Sequence, residues 1–342
     1  MASIRPVPIV VVLVALGAGA ATAATPKALP AVTAAAAAAW EHTLVDDEWA
    51  RADALVLAQA ADWTPSGAPR TDVGPVRTAV DAIPPLPGDP GLRDAVLASL
   101  DEMAWEAGPA ADQIATLLGT SPPDAAADAG MEALWGTFVE RQARANAGLS
   151  AAEAAFAARF GIPLVAPTVA APAPFLCPEL VPAGSNVPAQ LQAEFVLRYR
   201  NYAWEEQKAL VSALRDFSAA AADLRQFNTA LAALRTRVVA VQARAGALEG
   251  WRGDTRLKDA LGSACTTVLG IIDGDLTAVG AQTATLSKQG TLSGTRVVAI
   301  NDGSQRATYR VNGALDVLAR AFPPFDASWH LDAYQRWRQT TR

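Results

Sequence analysis

Hydrophobic positions along this chain recur at steps of three and four, the spacing that lays one apolar stripe along a helix. Leu92, Val96 and Leu100 share such a stripe, and so do Phe195, Tyr199, Tyr202, Leu210, Leu214 and Phe217. Leu224, Phe227, Leu231, Leu234, Val238 and Val241 keep the alternation longest and read as the seam of a bundle helix. The pattern predicts a first helix from the Ala run through Trp40, Leu44, Leu55 and Val56 to Asp62, stopped by Thr64-Pro65-Ser66-Gly67. A short helix over 76–83 ends at Pro84-Pro85. The next one starts with Asp89 as N-cap and Pro90 in the first helical position, bends at Gly108-Pro109 and stops near Gly119. A helix carrying Leu134, Phe138, Leu149, Phe156 and Phe160 closes this half on Gly161, with Pro163 beyond it. In the second half, Gly250 and Gly253 form a turn before a helix through Leu257, Leu261, Val268 and Ile272. A loop over 290–303 with a β-prone run at 296–300 and a last helix over 304–321 complete the expectation.

One phrase occurs twice. Gly88-Asp89-Pro90-Gly91-Leu92-Arg93-Asp94-Ala95 returns 165 residues later as Gly253-Asp254-Thr255-Arg256-Leu257-Lys258-Asp259-Ala260. Ala39-Trp40-Glu41 returns as Ala203-Trp204-Glu205, in nearly the same register. Trp40, Gly88, Asp89 and Leu92, with Trp204, Gly253, Asp254 and Leu257, therefore define a helical unit built twice. The expected plan is all-α: two tandem repeats resembling four-helix bundles, over 33–165 and 189–342, the second ending in an aromatic tail. A Pro/Ala-rich linker over 166–188 joins them, extended and semi-rigid.

The N-terminus adds a destination. Arg5 precedes an apolar run from Ile9 to Leu16, and small residues follow, with cleavage at Ala20, Ala23 or Ala24. That run is about half of what a spanning helix needs, so residues 1–24 read as a secretory signal peptide. The mature protein is expected in the periplasm, outside the cell or on its surface, without a transmembrane segment.

Composition narrows the chemistry. The formal charge of −6 disfavours nucleic acid, whose binding needs a basic face. Cys177 and Cys265, an even pair in an exported chain, are expected to form a disulfide. His42 and His330 are the only histidines, and neither Glu-x-x-His nor Cys-x-x-Cys occurs, so no metal, haem or other cofactor is expected. Nucleophile elbows and phosphate loops are missing too. Asp46-Asp47-Glu48 and Glu102 with Glu106 read as solvated helix faces, and Asp273-Gly274-Asp275 lacks the further oxygens of a calcium loop. Trp residues at matched positions read as core packing, whereas Trp329, Tyr334 and Trp337 in the tail are candidate partner-binding aromatics.

Pro87-Gly88-Asp89 with Leu92-Arg93-Asp94-Ala95, followed by Ala155-Phe156-Ala157-Ala158-Arg159-Phe160-Gly161-Ile162, resembles a family of exported, all-helical bacterial surface proteins often described as surface lipoproteins. The resemblance covers roughly 35–165 and, more faintly, 190–325. It implies a helical envelope protein with no established biochemical role and no catalytic residues. The chain departs from that family in lacking a lipid-acceptor Cys after the signal. The expected function is a non-catalytic envelope or surface module that engages an envelope or extracellular protein. The alternative is a carrier holding a small apolar ligand between helices.

Overall fold

The computed structural model describes residues 32–61, 71–123, 125–163, 175–185, 187–284 and 293–340. The signal peptide 1–24, the turn at 64–67 and the first part of the linker lie outside the described residues. Among the described residues the protein is all-α, and its one extended pairing is an isolated bridge between Trp251 and Asp254.

The first half contains α1 (Ala34–Glu41), α2 (Ala50–Ala61), α3 (Gly74–Ala82), α4 (Leu92–Trp105), α5 (Ala111–Gly119) and α6 (Ala125–Phe160). π-helical turns at His42–Trp49 and Glu106–Ala110 join α1 to α2 and α4 to α5. The interruption expected at Gly108-Pro109 is therefore a change of helical pitch, with Pro109 inside the widened turn. The second half contains α7 (Ala189–Ala220), α8 (Phe227–Ala247), α9 (Arg256–Ile271), α10 (Thr277–Thr283), α11 (Gly294–Ala319), α12 (Phe322–Ser328) and α13 (Leu331–Thr340). A third π-helical turn, Ile272–Leu276, joins α9 to α10.

Two expectations about helix starts are corrected. Asp89 does cap α4, but from outside it: its carboxylate accepts the N–H groups of Gly91, Leu92 and Arg93 at 3.0, 2.8 and 3.2 Å. Gly91 at φ +117° takes the cap position, so Pro90 precedes the helix instead of opening it. The β-prone run at 296–300 lies inside α11, whose first turn is capped by Ser293 Oγ on the Arg296 N–H at 3.4 Å. Within that run Ile300 is buried in the second core, while Val297 and Val298 stay exposed on the helix. Gly303 presses on Val279 so closely that a Cβ would lie 2.6 Å from its Cγ2, so α11 beds directly on α10.

Two apolar cores result. The first gathers Leu44, Trp49, Val76, Val80, Leu92, Val96, Leu100, Leu149 and Phe156. The second is built from α7, α8 and α9 and reaches back to Ile114, Leu118, Met131 and Leu134. α6, at 36 residues, runs from the second core at Met131 to the first at Phe156. The packing boundary therefore does not fall at 166–188. Within that segment Phe175, Cys177, Leu180 and Val187 are buried in the second core, so its described part is packed structure, not a spacer. Arg198 on α7 donates to the Leu117 carbonyl at 3.0 Å and to that of Thr120, satisfying the end of α5.

The helical stretch Arg256–Thr283 is the only one among the described residues long and apolar enough to cross a membrane. The sequence pattern predicts none beyond the signal. Within the stretch, Leu257, Leu261, Val268, Ile271 and Val279 are buried in the second core.

Candidate functional sites

Each π-helical turn carries ionisable groups, and in the first half they are crowded. Glu106 opens the second turn and is only 6% exposed. Burial, helped by Glu102 and Asp53, pushes its carboxyl up to about 8, against the pull of Arg141. Glu102, one turn earlier, is locked by Arg141 through bonds of 2.6 and 2.9 Å. The same guanidinium lies 4.0 Å above the Trp105 ring. Burial also raises Asp53. The reading of Glu102 and Glu106 as a solvated face is overturned: Glu106 is buried, Arg141 holds Glu102, and burial keeps the Glu106 proton on near neutrality.

At the other end of the first core, burial pushes Glu153 up to about 7, with Glu41 and Asp46 adding to it. His42 hydrogen-bonds Asp46 at 2.6 Å on the exposed side, and that bond raises its pKa. Glu153 can therefore exchange a proton close to neutral pH.

The residues expected to define a repeat match in part: their glycines and leucines have like settings, whereas Trp204 is exposed. Gly88 and Gly253 both have left-handed backbones, φ +87° and +86°, a conformation that favours glycine. Leu92 and Leu257 are fully buried at the starts of α4 and α9. Asp254 accepts the Arg256 N–H at 3.1 Å, a thinner cap than that of Asp89. Trp40 stacks on Phe156 at 5.4 Å, and Trp204 meets Phe322 edge-on at 5.3 Å.

The tail residues singled out for a partner are instead used within the fold. Tyr334 is buried, with its ring 5.2 Å from Phe175 and 5.7 Å from Trp337. Its hydroxyl donates to Glu194 at 2.5 Å, and Arg338 pairs with the same carboxylate at 2.9 Å. Trp329 packs on Trp251 and Phe325 and donates to Asp254 at 2.9 Å. The tail docks because its rings and the buried Glu194 need each other. Glu194 escaped the sequence reading, though a lone acid in the apolar run Ala193-Glu194-Phe195-Val196 is the visible signal of a buried ion pair.

Asp273 and Asp275 pair with Arg235 at 3.0 Å and Arg310 at 2.6 Å, so they brace the third π-helical turn from two helices. The expected disulfide is not formed. Cys177 and Cys265 are both free and buried. Cys177 Sγ is 3.4 Å from a Glu179 carboxylate oxygen, while Cys265 lies on α9 near Glu206 and Arg244. Burial pushes both thiols up to about 11.

No protein-family model, curated protein or solved structure matches this chain.

Proposed function

We propose that this chain is an exported, non-catalytic helical module that binds a protein of the cell envelope or the extracellular space. The observation that carries the reading is the paired use of one helix start. Gly88 and Gly253 share a backbone conformation, Leu92 and Leu257 share full burial, and each helix widens into a π turn, at Glu106–Ala110 and Ile272–Leu276. These pairs support a duplicated unit. Duplication supplies two related faces on one body, which suits bivalent engagement of a partner. The helix α6 and the Arg198 bonds to the end of α5 tie the halves together, so both faces are presented in a fixed relation.

The N-terminal pattern supplies the export half of the proposal, and the ionisable groups fit a structural role. Glu102, Glu194 and Glu206 are each paired with an Arg, at 2.6, 2.9 and 2.7 Å. The test is production of the full chain with its own N-terminus, followed by compartment fractionation and intact mass. The proposal expects exported protein shortened to Ala20, Ala23 or Ala24. Full-length protein in the cytoplasm sinks it. Native mass spectrometry separates the carrier reading, since a stoichiometric co-purifying apolar molecule favours the carrier.

A further inference from the structure

We propose that Cys177, Glu179 and His330 form a binding site for a divalent metal ion of the zinc class. One thiol sulfur, one carboxylate oxygen and one imidazole nitrogen lie within 4.8 Å of one another. Mixed S, O and N donors select a borderline-soft ion and disfavour magnesium or calcium, which take oxygen alone. Three protein ligands leave a fourth tetrahedral position for water or for a donor from a partner.

The three donors come from two segments that the fold holds firmly. Cys177 precedes the short 3-10 turn Pro178–Leu180, whose Leu180 is fully buried. The Leu180 N–H donates to the Cys177 carbonyl at 3.1 Å, which closes the turn, and the Cys177 sulfur and the Glu179 carboxylate lie 3.4 Å apart across it. His330 joins α12 to α13 with a left-handed backbone at φ +53°. Few residues other than glycine accept that conformation, and His is among those that do. Its neighbours fix it there: Phe325 and Leu331 are buried, the His330 N–H bonds Ala327, and the His330 carbonyl receives the Tyr334 N–H at 3.0 Å. The donors are therefore brought together by the packing of the tail onto the second core.

No short ligand spacing marks this cluster in the sequence. Here Cys177 and Glu179 supply one short segment, and His330 arrives from the far end of the chain. Binding replaces the S–H bond of Cys177 with a sulfur–metal bond, and the proton passes to solvent.

The test is titration of the full chain with cobalt(II), then displacement by zinc, read by absorption. The proposal expects one ion per chain and a sulfur-to-cobalt charge-transfer band that zinc removes. Cys177→Ser abolishes the band. His330→Asn keeps a side chain that tolerates the left-handed turn and weakens binding by about tenfold or more. Glu179→Gln weakens it in the same direction, and Cys265→Ser leaves it unchanged. Circular dichroism of each variant shows whether the helices are intact, and the two non-cysteine variants carry the test if Cys177→Ser fails to fold. No charge-transfer band in the wild-type chain, or a band lost in Cys265→Ser and kept in Cys177→Ser, overturns the proposal.

Discussion

The indole Nε1 of Trp329 donates to the Asp254 carboxylate at 2.9 Å, fastening the aromatic tail to the turn that opens α9. Arg256 reaches the same carboxylate at 2.6 Å. Burial alone would raise the Asp254 carboxyl, but Arg256 and Trp329 outweigh it and hold the group below the usual range. A depressed carboxyl adds stability above its unfolded pKa, and that stability is lost as pH falls through the folded value. Trp329→Phe keeps the ring and removes the donor, at a cost of about 1–3 kcal/mol for a bond to a charged acceptor. Urea unfolding at neutral pH checks the cost. Repeating it in acid checks the sign, because the difference between wild type and Trp329→Phe should shrink once Asp254 is protonated.

Glu106 predicts the opposite pH behaviour. Its folded carboxyl lies at about 8, against 4.5 for the free group. The folded state binds this proton more tightly, so stability declines as pH rises between those values and stays low above them. Glu106→Gln removes the burden. It should be more stable than wild type by about 2–4 kcal/mol in mild alkali, counting about 1.4 kcal/mol per pKa unit and allowing for screening. At acid pH the two should converge. Thermal unfolding of both proteins across the window decides it, and parallel curves would mean that Glu106 is ionised throughout.

The two helix starts should be comparably expensive to damage. Leu92→Ala and Leu257→Ala each empty a fully buried site and should cost about 2–5 kcal/mol. Gly88→Ala and Gly253→Ala force a Cβ into left-handed backbone at φ +87° and +86° and should each cost about 1 kcal/mol. Denaturant unfolding of the four variants checks the match. A large cost confined to one start would argue that the two phrases have diverged in role.

Docking of the tail rests on Glu194, which is 1% exposed and bonded by Tyr334 and Arg338. Tyr334→Phe withdraws one donor from a buried charge and should cost about 1–3 kcal/mol. Hydrogen exchange should then show α13 opening more often while α4 and α6 are unaffected. Uniform protection in the variant would place the tail's anchorage elsewhere.

The sequence foretold helices where apolar spacing was long and uninterrupted, as in α7, α8 and α9. Its stop at Gly161 also holds, with φ +67° and the Ile162 N–H bonded to Ala157. It failed where distant packing outvotes local preference. Val297, Val298 and Ile300 favour strand in isolation, yet they lie within α11, where Ile300 is buried in the second core and Gly303 packs against Val279. Glu102 and Glu106 look like any pair one turn apart, and only the fold buries Glu106 and brings Arg141 onto Glu102. Trp329, Tyr334 and Trp337 likewise carry no local sign of whether they face a core or a partner. Phe175 and Leu180, inside a Pro-rich stretch, gave no periodicity to mark them as core.

The central claim is that the mature chain works by binding another envelope or extracellular protein. Cross-linking in intact producing cells, followed by purification and mass spectrometry, tests it most directly. The account predicts a reproducible cross-linked partner from the envelope or the extracellular space, attached at exposed helix faces of both halves. Cross-links confined to the chain itself, with a small molecule bound in stoichiometric amount, would contradict it.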